Sequence, residues 1–266
     1  MSGALGSRVL CSTVSVFPTP LHGSFGLLAR AGFDGVEVMV TKDPDTQDAG
    51  RLCELAEDHG LPIVAIHAPF LLTSRAVWGT DPFGKIDRAV ELAGATGAEL
   101  VVVHPPYRWQ TAYRGWLDER LPALETGTGV RVAVENMFPL RVRGRKVARF
   151  HPEHALDDLG QVPHVVLDTS HAAVAGLDLL DSTARVGERL AHVHLSNNAG
   201  RGWDSHLPLD EGVLDLEPFL RGLVARGFAG AISLEVDLRR HREDGSALLE
   251  ALRRNLALAR AHLASV

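Results

Sequence analysis

Cysteine is nearly absent from this chain: Cys11 and Cys53 are the only two in 266 residues, too few for a disulfide framework or a cysteine-rich zinc site. Lysine is almost as scarce, limited to Lys42, Lys85 and Lys146, and arginine carries most of the positive charge. Long apolar runs are missing too, and none approaches the ~20 residues that a membrane span needs. The opening Met1–Arg8 segment lacks the apolar centre of a signal peptide, so a cytoplasmic location without a membrane partner is expected. There is no basic excess either. Lysine and arginine number 27 against 33 aspartates and glutamates, a net charge of −6. That balance excludes the broad cationic field that holds duplex nucleic acid or anionic lipid. What is there, 45% hydrophobic and 23% charged residues, suffices to bury a sizeable core.

Eight short β-branched runs recur between longer Ala/Leu/Arg/Glu segments that carry apolar residues at helical spacing. The runs are Val9–Val16, Gly35–Val40, Pro62–His67, Glu99–His104, Arg131–Glu135, His164–Asp168, Ala191–Leu195 and Ala231–Val236. Each precedes a helix candidate, the clearest being Asp87–Thr96, after the cap region Thr80-Asp81-Pro82, and Glu243–Leu263. Gly60, Gly97, Gly129 and Gly230 stand just before strands, where a helix must stop and the chain turn. This grammar predicts an α/β protein, a single-domain (β/α)8 TIM barrel spanning residues 1–266, with residues 1–7 as a tail. A doubly wound open sheet fits less well. The first run leads into Val16-Phe17-Pro18-Thr19-Pro20, which is no glycine-rich phosphate loop.

The active site of such a barrel lies at the C-terminal ends of its strands. From the second strand onward those ends carry Glu37, His67, His104, Glu135, Asp168, His194 and Glu235, and the six steps from 37 to 235 average 33 residues. Buried carboxylates converging on one cavity need a compensating cation, and divalent metal ions are the simplest one. Imidazole and carboxylate without thiolate suit Zn²⁺, Mn²⁺, Fe²⁺ or Co²⁺ better than Ca²⁺. Two loop motifs add to the set: Asp168-Thr169-Ser170-His171, and Asp204-Ser205-His206 on the way to Leu207-Pro208-Leu209.

The series Ile66-His67-Ala68-Pro69-Phe70, Val103-His104-Pro105, Val134-Glu135-Asn136-Met137, Asp168-Thr169-Ser170-His171-Ala172, His192-Val193-His194-Leu195, His206-Leu207-Pro208-Leu209 and Leu234-Glu235 resembles the xylose-isomerase-like TIM-barrel superfamily. That group holds sugar-phosphate isomerases and epimerases together with endonuclease IV. The resemblance to the epimerase branch implies one metal on Glu135, Asp168, His194 and Glu235. The resemblance to endonuclease IV, a three-zinc enzyme, implies five further ligands at His67, His104, His171, Asp204 and His206. The surroundings differ from that nuclease. Cys11-Ser12-Thr13 and Val38-Met39-Val40-Thr41-Lys42 do not look like its DNA-contacting loops, and Gly200-Arg201-Gly202-Trp203 matches its strand-seven loop only loosely. In Leu209-Asp210-Glu211-Gly212, Asp210 replaces a glycine common in the isomerase relatives.

The expected function is a metal-dependent isomerase or epimerase acting on a small sugar, sugar phosphate or related polyhydroxylated molecule through a metal-stabilised enediolate. Glu135 and Glu235 are the candidate base and acid, with His171 and Arg201 steadying the substrate oxygens. No lysine stands at a strand end near the quartet, which removes a Schiff-base aldolase. The rival is a di- or trinuclear phosphoester hydrolase. One to three divalent ions per chain are expected, zinc or manganese first, and at least two if all nine residues face the cavity. The partner is a small molecule, not nucleic acid, and a homo-oligomer is compatible with the sequence.

Arg108, Trp109, Arg201 and Trp203 fall in active-face loops as candidate substrate contacts, and Trp78 stands in another such loop. Glu37 is either structural, for instance as the partner of an arginine in the barrel mouth, or a substrate contact. His171 has a second reading as a substrate hydrogen-bond donor, and Asp204 and His206 as residues that only order their loop. His192, two residues before His194, is a core histidine or a partner of a ligand. The basic run Arg141-Val142-Arg143-Gly144-Arg145-Lys146, followed by Arg149, is a solvated loop or an anion-binding lid.

Overall fold

In the computed structural model, which describes residues 7–69, 77–107, 109–142, 145–148, 159 and 162–263, eight parallel strands close on one another. They are β1 (Val9–Ser12), β2 (Val36–Met39), β3 (Ile63–His67), β4 (Leu100–Val103), β5 (Arg131–Glu135), β6 (His164–Asp168), β7 (Leu190–Leu195) and β8 (Ala231–Leu234). Pairing of Val9 with Ile232 and of Cys11 with Leu234 joins the first strand to the last, so the barrel has no open edge. The helices are α1 (Leu21–Ala31), α2 (Ala49–His59), α3 (Pro82–Thr96), α4 (Thr111–Thr128), α5 (Thr169–Ala175), α6 (Leu179–Val186), α7 (Leu216–Ala225) and α8 (Gly245–Leu263). The expected single-domain (β/α)8 TIM barrel is the fold observed.

Several boundaries differ from the sequence reading for local reasons. The first strand stops at Ser12, and Thr13–Val16 form a 3₁₀ turn. There the Ser15 hydroxyl donates to Leu234 O at 3.1 Å and accepts from Val236 N at 2.9 Å, so a side chain replaces the ladder beyond the strand. Helix α3 begins at Pro82, a turn earlier than expected. Asp81 caps it by accepting from the amides of Phe83 and Gly84, and proline suits the first helical position. Gly97 ends α3 with φ +74, whereas Gly230 serves a different need: a Cβ there would meet Ala191 O at 2.2 Å.

Among the described residues no α-helix lies between β5 and β6. A short antiparallel hairpin, Leu140–Val142 with Arg145–Ala148, stands there instead. Arg108, Arg143 and Arg149 lie outside the described residues, as does the expected N-terminal tail apart from Ser7, whose hydroxyl donates to Phe228 O at 2.9 Å. Among the described residues no helix is long and apolar enough to cross a membrane.

The main core lies between sheet and helices and includes Phe25, Leu52, Ile86, Leu121, Phe219 and Leu252. A second, smaller cluster fills the lower barrel with Ala65, Leu100, Val102, Ala133, Val166 and Ala191. These two cores set the depth at which the functional side chains emerge.

Candidate metal centre

Side chains at i and i+2 of a strand share one face. Ala65, Val102, Ala133 and Val166 point into the barrel, so His67, His104, Glu135 and Asp168, two places further on, form a polar layer above that apolar floor. His194 joins from β7, and Glu235 follows the last residue of β8.

Glu135 is central. Its Oε1 lies 2.9 Å from His194 Nδ1 and 3.6 Å from His171 Nδ1, and its Oε2 lies 3.0 Å from His104 Nε2 and 3.7 Å from His67 Nε2. Glu235 Oε2 is 3.0 Å from His194 Nδ1, and Asp168 Oδ2 is 3.9 Å from the same nitrogen. On the loop side Asp204 Oδ2 sits 2.7 Å from His206 Nε2 and 3.3 Å from His171 Nε2. All nine residues expected as ligands therefore meet in one connected cluster.

The orientation of the rings follows from their outer hydrogen bonds. His67 Nδ1 donates to Ala68 O, His171 Nδ1 to Asn136 O and His206 Nδ1 to Glu235 O, each at 2.9 Å. A carbonyl only accepts, so these bonds place a proton on Nδ1 and leave Nε2 as the nitrogen that could serve as a ligand. Asp168 Oδ1 accepts from His171 N at 2.7 Å and so caps α5, which leaves Oδ2 for the centre. His206 adopts φ +41, a left-handed conformation that is uncommon for a non-glycine residue.

Burial raises the Glu135 carboxyl, but His194 and His171, with hydrogen bonds from His104 and His194, hold it well below the ordinary carboxylate range. Glu235 is lowered in the same way against its own burial, mainly by His194. Burial pushes Asp168 up to about 6, with His171 and His206 opposing and Glu135 and Asp204 reinforcing the rise. Burial disfavours charge on His206, yet Asp168 and the hydrogen bond to Asp204 bring it to about 10. His171 and His194 are raised well above the ordinary imidazole value by their carboxylate neighbours, again against burial. Protonated imidazoles thus balance the carboxylates of the metal-free cluster.

The donor set fits divalent cations. Asp168 Oδ2 is buried without a hydrogen-bond partner. Ligand atoms of Glu135, Asp168, His194 and Glu235 lie within 4.8 Å of one another, as do those of His67, His104 and Glu135 and those of Asp168, His171 and His206. Beside this cluster a cavity of about 200 Å³ opens between Val14, Phe17, Asp204, His206, Glu235 and Arg239.

Other residues are placed differently. Glu37, expected either as a structural carboxylate, for instance as the partner of a mouth arginine, or as a substrate contact, has histidine and not arginine partners. It is wholly buried and paired with His192 Nε2 at 2.8 Å and His194 Nε2 at 3.2 Å. The reason is register: Glu37 pairs with Ala65 of the apolar layer, and Met39 stands opposite His67. His192 is accordingly the partner of that carboxylate. Arg201 lies over the Trp203 ring at 5.9 Å, and Trp109 stacks on Tyr107, both tryptophans being more than half exposed. These residues stand outside the ligand cluster and do not line the 200 Å³ cavity.

Sequence reasoning missed Asn136. Its side chain accepts from Asp168 N at 2.7 Å and donates to Asp168 O at 3.2 Å, tying the ends of β5 and β6 together. The polar residue directly after Glu135 in Val134-Glu135-Asn136 was the available signal. It also missed Phe17 and Val14, which reach the cavity only because the chain leaves β1 as a 3₁₀ turn.

The family model described as xylose isomerase-like TIM barrel matches residues 25–257. An uncharacterised protein of Mycobacterium tuberculosis is 38% identical over 278 aligned positions that cover 96% of this chain and 98% of that protein. A probable endonuclease 4 of Heliobacterium modesticaldum is 29% identical over 65% of this chain and 69% of its own length. Among solved structures, a 3-keto-D-glucoside 4-epimerase from E. coli superposes with a TM-score of 0.70 at 18% identity, covering 96% of this chain and 99% of that one, a likeness of fold. With its polar layer at the strand ends and the family match spanning nearly every barrel strand, the chain belongs to the xylose isomerase-like TIM barrel family.

Proposed function

We propose that the protein is a metal-dependent isomerase or epimerase acting on a small sugar, sugar phosphate or related polyhydroxylated molecule. One observation carries the reading: Glu135 and Glu235, from different strands, both approach His194 Nδ1 beside a cavity of about 200 Å³. Such a space admits a small molecule. A divalent ion held by Glu135, Asp168, His194 and Glu235 would polarise a substrate carbonyl and its neighbouring hydroxyl and offset the charge that develops as a carbon-bound proton leaves.

The chain's own groups divide the remaining work. Glu235, 14% exposed and lining the cavity, is placed to take or return the proton, and Glu135, almost wholly buried, approaches from beneath. His171, fixed by Asn136 O and Asp204, orients substrate oxygens or completes a further ion set. Two of the three other candidate sets, His67–His104–Glu135 and Asp168–His171–His206, support at least two ions per chain, zinc or manganese by donor chemistry. Arg239 lines the cavity already chelated by Asp237, which does not favour a nucleic-acid backbone as ligand. The convergence of all nine ligands supports a second reading, phosphoester hydrolysis.

The test is exchange at carbon. Protein loaded with Zn²⁺ or Mn²⁺ and offered a panel of ketoses, aldoses and their phosphates in D₂O should form an epimer or isomer that carries deuterium. Glu135→Gln and Glu235→Gln should each fold and fall below about a tenth of that activity. Incision of an abasic-site duplex at ~0.1 M salt, without carbon exchange, would put the hydrolase first.

A further inference from the structure

We infer that Glu37 is a positioning residue: its carboxylate accepts the Nε2 proton of His194 and so turns Nδ1, and not Nε2, toward the ion held by Glu135, Asp168 and Glu235. The inference rests on the reading that this quartet holds a divalent ion.

His194 differs from its neighbours. His67, His171 and His206 anchor Nδ1 on backbone carbonyls and present Nε2. His194 presents Nδ1, at 2.9 Å from Glu135 and 3.0 Å from Glu235, and among the described residues no backbone carbonyl holds its far side. Glu37 does so instead, reaching from β2 across the barrel interior to Nε2 at 3.2 Å. The same Glu37 oxygen is held at 2.8 Å by His192 Nε2. The His192 ring stands edge-on to the His194 ring at 5.3 Å and 88°.

A purely structural role explains this arrangement poorly. Glu37 sits in register with Ala65, at the depth of Val166 and its strand neighbour His192, and an apolar pair in place of Glu37 and His192 would pack there without removing a charge from water. A buried carboxylate behind an imidazole does what an alanine cannot: it selects the tautomer, fixes the ring plane and increases the basicity of the opposite nitrogen.

The test compares Zn²⁺ dissociation constants, by competition with a chromophoric chelator, for wild type, Glu37→Gln and Glu37→Ala, with ions per chain counted at saturation. Affinity for the tightest ion should weaken about tenfold in Glu37→Gln and by up to roughly a hundredfold in Glu37→Ala, with the ion count unchanged. Affinities within about twofold of wild type in folded variants would overturn the inference. A second measurement needs no variant, so it decides even if both substitutions unfold the chain. In ¹⁵N-histidine-labelled, Zn²⁺-loaded wild type, His194 should keep its Nε2 proton and carry the metal-bound shift at Nδ1. A metal-bound Nε2 would overturn the inference and make Glu37, His192 and His194 an ion site of their own. Wild type that binds no Zn²⁺ would instead refute the metal reading itself, and the inference with it.

Discussion

Truncating Asn136 to alanine removes one side chain and two bonds that nothing nearby replaces. Its Oδ1 accepts from Asp168 N at 2.7 Å and its Nδ2 donates to Asp168 O at 3.2 Å, at a residue with 0% exposure. In the variant a buried amide loses its partner, and so does one lone pair of a buried carbonyl. An unsatisfied buried polar group costs about 1–3 kcal/mol, and the carbonyl less than the amide, which gives a loss of about 2–4 kcal/mol. For a domain of this size that is a fall in Tm of roughly 5–15 °C. Equilibrium urea unfolding, followed by tryptophan fluorescence and far-UV circular dichroism, would measure it. The substitution leaves the backbone carbonyl that holds His171 Nδ1 in place, so His171 should stay put while Asp168 loosens. Ion binding should therefore weaken at Asp168 more than at His67 and His104. A stability loss below about 1 kcal/mol would refute the view that this side chain ties β5 to β6.

Two further predictions concern ions and protons. Protein saturated with Zn²⁺ should hold at least two ions, and His67→Ala or His104→Ala should each lose one while the ion of the quartet stays; elemental analysis giving one ion, unchanged in both variants, would assign these histidines to substrate or to the core. His206, raised to about 10, is protonated at neutral pH in the metal-free protein, so an ion that takes it as ligand must displace its proton. Calorimetry in buffers of differing ionisation enthalpy should show proton release, and affinity should fall as pH is lowered. The same shift has a stability sign: a raised histidine contributes fully below its unfolded value and the contribution is lost as pH rises through about 10, so chelator-treated protein should melt earlier across that window.

The strand ends were legible because inward residues recur every second position and a parallel barrel repeats its βα unit, here at a mean of 33 residues with steps from 26 to 41. His67, His104, Glu135, Asp168 and His194 needed only that logic. Glu37 obeyed the same parity and was misplaced, because depth inside a barrel depends on register between strands. The pairing of β2 with β3 shifts between Val36 and Glu37, and no local pattern records that shift. The polar signal at Asn136 gave no partner for a related reason: Asp168 is 32 residues away and becomes a neighbour only when β5 and β6 pair. Asp204 and His206 lie on a loop, where spacing says little. Their place depends on Ser170, whose hydroxyl donates to Asp204 Oδ1 at 2.6 Å.

The left-handed backbone at His206 sets two selective pressures against each other at a single codon. For holding the chain together, glycine or asparagine is the better occupant, since either relaxes a conformation that costs an ordinary side chain about 1 kcal/mol or more. For the proposed role in holding an ion, a residue with a nitrogen aimed at Asp204 is needed. A lineage that kept the fold but gave up the chemistry would be free to drift toward glycine here before its deeper ligands changed, because those are locked into the packing of the barrel. The occupant of position 206 is therefore an early witness of whether a descendant of this chain still does its work.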